Sequence, residues 1–95
     1  MMANKYELVT VLSTLQGDEA VKALAEKVDS MLTSLSSVID KDDWGARRLA
    51  YEIEDQREGY YTVYQLEAEP EAPAEIERLL KITDGVLRWL IVKKD

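Results

Sequence analysis

Two stretches of helical periodicity in this 95-residue chain are separated by two successive strand-like stretches, and one more strand-like stretch lies outside each helix. That order constrains the fold more than any single motif does. In "GDEAVKALAEKVDSMLTSL" (17–35), Val21, Leu24, Ala25, Val28, Leu32 and Leu35 recur at three- and four-residue spacing, which gathers them on one helix face. Asp18 and Glu19 stand at its start, where the helix dipole favours acids. The second helix falls within "AEPEAPAEIERLLKI" (68–82): Pro73 suits a first turn, Glu71 and Glu75 suit the positive end, and Ile76, Leu79 and Leu80 make the apolar stripe. "TDG" (83–85) ends it.

The flanking segments read as strands. "KYELVTVLS" (5–13) places Tyr6, Leu8, Thr10 and Leu12 on one face and Lys5, Glu7, Val9 and Val11 on the other. Its end is apolar on both faces, which predicts a central strand covered on both sides or nearly so. A long second strand runs from about Val38 to Ile53, with Gly45 marking a bulge or bend. "EDQREG" reads as a polar turn, and "YYTVYQLE" (60–67) completes a hairpin. "VLRWLIVKK" (86–94) is the last strand.

The order β-α-β-β-α-β predicts an α+β fold spanning residues 1–95 as one domain. It is a ferredoxin-like split βαβ sandwich, a four-stranded antiparallel sheet with two helices on one face. In its usual 4-1-3-2 strand order the first and third strands are central and the second is an edge. The antiparallel fourth strand ends beside Lys5, bringing Lys93 and Lys94 near it.

Composition narrows the chemistry. The chain has no cysteine and no histidine, which removes disulfides, thiolate nucleophiles and the commonest general base and metal ligand. The carboxylate-rich runs "DKDD" (40–43) and "EIEDQRE" (52–58) lack the alternating oxygen ligands and turn glycine of a calcium loop, so they read as solvated strand ends. Four scattered glycines form no phosphate-binding loop. An acylphosphatase-like site on this fold would need an arginine after the first strand, where "STLQGDE" has none. No apolar run reaches the roughly 18 residues of a membrane span, and "MMANKYELV" lacks the apolar core of a signal peptide. The expectation is a cytoplasmic, non-enzymatic protein without metal, cofactor or small-molecule substrate.

A formal net charge of −7, from 12 basic and 19 acidic residues, argues against nonspecific binding to bulk nucleic acid and suits a basic protein partner. A site-specific RNA contact then requires the few cations to gather on one face. Tyr60 and Tyr64 alternate along the third strand as base-stacking aromatics do in RNA-recognition sheets, but Thr62 holds the middle position, and tyrosines are ordinary on half-buried sheet surfaces. Arg47 and Arg48, adjacent in a strand, must point to opposite faces. Simple alternation groups Arg48 with Trp44 and Ala46, and Arg47 with Leu49 and Tyr51. Charge protection of an edge strand would account for at least one of the arginines.

"GARRLAYEI" followed by "GYYTVYQLE" resembles the bacterial small-subunit ribosomal protein S-six family. The opening "YELVTVL" and "LLKITDGVLRWLIVKK" resemble that family's first strand and its last helix, turn and strand. Proportions and element order agree from about residue 5 to residue 94. Two positions depart from the pattern: Glu52 stands where the family often has proline, and Trp89 is bulkier than expected. The resemblance implies a structural ribosomal protein that binds the central domain of small-subunit ribosomal RNA together with the basic ribosomal protein S-eighteen. It implies Arg47 and Arg48 as RNA-facing residues, Lys5 and Arg88 as weaker RNA-binding candidates, and Trp44, Tyr51 and Tyr60 as candidates for the partner-protein surface. The alternative on the same fold is a small-ligand regulatory or oligomerising module, which would self-associate through its sheet or an edge strand with a ligand at the interface.

Overall fold

A computed structural model of the chain describes residues 3–53 and 56–94, with side chains for 3–48 and 58–94. The elements follow the expected order: β1 (Asn4–Leu12), α1 (Asp18–Leu35), β2 (Ser37–Ile53), β3 (Gln56–Ala68), α2 (Ala72–Lys81) and β4 (Val86–Lys94). The strands form one antiparallel sheet in the order β2-β3-β1-β4, so β2 and β4 are the edges. β3 begins at Gln56 rather than Tyr60. Gln56, Glu58 and Gly59 pair with Ile53, Arg48 and Arg47 of β2, because backbone pairing does not require apolar side chains.

Both helices lie on one face. Tyr6, Leu8 and Leu12 of β1 and Tyr64 and Leu66 of β3 point toward them and meet Val28 and Leu32 of α1 and Ile76 and Leu80 of α2 in one core. β1 is central, as its composition suggests, but only one of its faces is under helices. Val9 on the other face is half-buried, and Val11 is buried between its cross-strand neighbours Tyr61 and Arg88. Apolar residues on both faces of a strand therefore meant a buried face and a self-covering open face.

A polar cluster ties the β2 edge to α1. The Tyr64 hydroxyl donates to Asp29 Oδ1 at 2.7 Å, and Lys41 Nζ meets Asp29 Oδ2 at 2.7 Å. Thr62 Oγ1 donates to Asp43 Oδ1 at 3.1 Å, and Lys41 lies 3.8 Å from Asp43. Burial, reinforced by the bond to Asp29, pushes the Tyr64 phenol well above its ordinary range. Partial burial pulls the Lys41 ammonium down, but Asp29 and Asp43 outweigh it and its pKa is raised.

Next to this cluster Thr10 is fully buried opposite Thr62 and Trp89, and its Oγ1 has no hydrogen-bond partner among the described residues. A buried hydroxyl left unpaired costs free energy that a methyl of the same shape does not. Thr10→Val should therefore stabilise the protein by about 1 kcal/mol, read as a higher urea midpoint at unchanged slope. A lower midpoint would mean that the hydroxyl is satisfied.

Candidate nucleic-acid interface

The face of the sheet opposite the helices is uncovered, and cross-strand pairing arranges its side chains in rows. One row runs from Gly45 on β2 through Tyr61 and Val11 to Arg88 on β4. The next runs through Asp42, Val63, Val9 and Leu90, and a third through Asp40, Gln65, Glu7 and Val92. The last brings together Ser37, Glu67, Lys5 and Lys94. The face therefore grades from aromatic and cationic, through apolar, to mixed charge. Leu90 and Val92 remain exposed on it, an apolar surface of the kind that marks interaction sites.

Arg47 pairs with Gly59, one step beyond the Gly45–Tyr61 pair and on the same face. Arg48 pairs with Glu58 and points to the opposite face with Ala46. The two arginines divide as the strand period demands. Trp44 does not follow simple alternation. The register shifts between Asp43 and Gly45, so two residues of β2 oppose one position of β3, and Gly45 takes φ 80. A left-handed backbone angle at a bulge is where glycine costs least. The extra residue turns Trp44 onto the face of Arg47, not that of Arg48.

There the indole stacks on Tyr61, with centroids 6.3 Å apart and rings inclined by 19°. The Arg47 guanidinium carbon lies 6.0 Å from the indole centroid, and Arg47 Nε donates to the Trp44 carbonyl at 3.2 Å. The indole Nε1 donates to Asp42 Oδ2 at 3.0 Å. Trp44 is nonetheless 48 % exposed.

The other candidates are dispersed. Arg88 sits on the Gly45–Tyr61 row at the far edge, three strand spacings or about 14 Å from β2. Lys5 lies six residues along β1 from Val11, about 20 Å away, next to Lys94 as the antiparallel pairing predicts. Lys94 and Gln65 both bond to Glu7 Oε1, and the Gln65 hydrogen bond leads in holding the Glu7 carboxyl below its usual range. Tyr60 faces the helices with Thr62 and Tyr64 and packs against the core, so it does not share a surface with Trp44. The alternating pair Tyr60 and Tyr64 is thus on the covered side and cannot present rings to a base. The side chain of Tyr51 lies outside the described residues. Tyr61, which alternation places between them on the open face, is the ring that sequence reasoning passed over. The parity of the buried Leu66 and Ala68 was the signal that could have found it.

A family profile described as Ribosomal protein S6 matches residues 5–93. The small ribosomal subunit protein bS6 of Clostridium perfringens is 45 % identical over 92 residues, 96 % of this chain and 97 % of that relative. Its counterpart in Exiguobacterium sibiricum is 40 % identical over 92 residues, again 96 % and 97 % of the two chains. Among solved structures, the crystal structure of 30S ribosomal protein S6 from Thermotoga maritima matches with a TM-score of 0.89 at 23 % sequence identity. The match covers 97 % of this chain and 88 % of that one, and supports the fold.

Proposed function

This chain belongs to the ribosomal protein S6 family, and from that premise we propose that it is a non-enzymatic component of the small ribosomal subunit in the cytoplasm. In this reading it binds the central domain of the small-subunit ribosomal RNA jointly with the basic ribosomal protein S-eighteen. The observation that carries the reading is the uncovered sheet face, with arginines at one end and an apolar middle. A net charge of −7 suits a subunit whose basic partner supplies much of the phosphate neutralisation. Arg47 and Arg88 on that face, and Arg48 on the other side of the hairpin, are the RNA-facing candidates. Arginine fits the role because its planar fork clasps a phosphate bidentately or stacks on a base.

The test is to mix the chain with a central-domain RNA fragment, with and without the basic partner. Binding is expected only, or far more tightly, with the partner present. Equal and negligible binding in both mixtures would sink the proposal. A stable homodimer on size-exclusion would favour a self-associating module instead. Because the two arginines part company, single substitutions separate them. Arg47→Ala is expected to weaken the ternary complex by about tenfold or more, with Arg48→Ala weaker in effect. Both side chains are exposed, so the melting temperature should hardly move. A large loss of stability would make these arginines structural.

A further inference from the structure

The geometry points to the bulged end of β2 as a stacking site for one unpaired RNA base, held on Trp44 with its neighbouring phosphate met by Arg47. This rests on the proposed RNA-binding role and adds the contact on which it turns.

Trp44 is unusual among exposed side chains in being both half out in solvent and fixed on several sides. Asp42 holds its Nε1, Tyr61 stacks against it, and Arg47 grips both its ring and its carbonyl oxygen. The bulge at Gly45 sets its direction. With 48 % of the residue exposed, one face of this fixed ring is open to a ligand. Binding gains from this arrangement, because rotamer entropy is lost before the ligand arrives. Indole offers the best aromatic face for stacking, and a base brings a matching flat surface.

Charge selects the occupant. Among the described residues, the charged side chains beside the ring on the open face are Arg47 and Asp42, the latter accepting the indole N–H, with Arg88 on the far edge of the same end. The remaining acids of the face, Asp40, Glu7 and Glu67, lie on the more distant rows. Arg47 thus places a guanidinium directly beside the exposed indole. An apolar protein side chain would find its better surface one row away, at Val63, Val9 and Leu90. A nucleotide fits this end, since stacking uses the ring and guanidiniums clasp phosphate.

The experiment uses the preformed complex of the chain with its basic partner, titrated with a central-domain RNA fragment. In a Trp89→Phe background Trp44 is the sole tryptophan, and its fluorescence should be quenched as RNA binds. Trp44→Ala should weaken RNA binding roughly ten- to hundredfold, while Trp44→Phe keeps most of the affinity. Neither variant should change association with the protein partner in the absence of RNA, or the melting temperature by more than a few degrees. If Trp44→Ala weakens the protein–protein step and leaves the RNA step intact, the surface belongs to the partner and the inference is overturned. The same follows if neither step changes. Failure of the unmutated complex to bind RNA would instead refute the functional reading, before any variant is made.

Discussion

Ile76→Ala should cost the protein about 2–5 kcal/mol, the range for emptying a fully buried aliphatic site. Ile76 is 0 % exposed and sits in the core with Leu8, Leu32 and Leu80. α2 has only ten residues, too few to hold helical structure in water without packing. Its attachment rests on Ala72, Ile76 and Leu80, helped at the rim by the Trp89 Nε1 bond to Glu77 at 3.3 Å. A domain of this size has a total stability of about 5–15 kcal/mol, so the melting temperature should fall by about 10–25 °C. Leu90→Ala is the control: Leu90 is 59 % exposed on the open face, and its loss should change stability by no more than about 0.5 kcal/mol. A loss below about 1 kcal/mol for Ile76→Ala would mean that α2 is not docked as described.

Gly85→Ala is the second large expected loss, about 1–3 kcal/mol, chiefly from backbone strain. Gly85 has φ 95, a conformation that L side chains rarely adopt, and a β-carbon there would lie 2.6 Å from Leu24 Cδ2. The same residue accepts the Ser13 N–H at 2.6 Å through its carbonyl, joining the turn before β4 to the end of β1. Relief by backbone movement would therefore disturb the β1–β4 register at Leu12 and Val86, where the pairing already shifts. Chemical denaturation of Gly85→Ala, Leu24→Ala and the double variant separates the two causes. If Gly85→Ala costs much less in the Leu24→Ala background than in the unmutated protein, the clash dominates; if it costs the same, the φ angle does.

Much of the fold was legible because periodicity is local. Val21, Val28 and Leu32 repeat with the helical period and are the buried residues of α1. Pro73 stands in the first turn of α2 as its missing N–H allows. The paired lysines Lys5 and Lys94 followed from strand order alone. Other features depended on contacts that a local pattern does not carry. The start of β3 at Gln56 depends on backbone pairing across the hairpin, to which hydrophobic alternation is blind. The covered side of Tyr60 and Tyr64 depends on which face the helices choose, and a tyrosine suits either.

The site was legible only in part. That Arg47 and Arg48 diverge is a property of any strand, and needed no structure. That Trp44 joins Arg47 required the position of the bulge, and one inserted residue reverses every later side-chain direction. Gly45 announced an irregularity without saying on which side of it the extra residue lies. The sequence by itself determined the element order, the helix-facing stripes and the opposed arginines, because these follow from the geometry of a single helix or strand. Only the tertiary structure decided that Trp44, Tyr61, Arg47 and Arg88 share one end of an open face. Their proximity is created by register between strands, and register is fixed by pairing partners far apart in the chain.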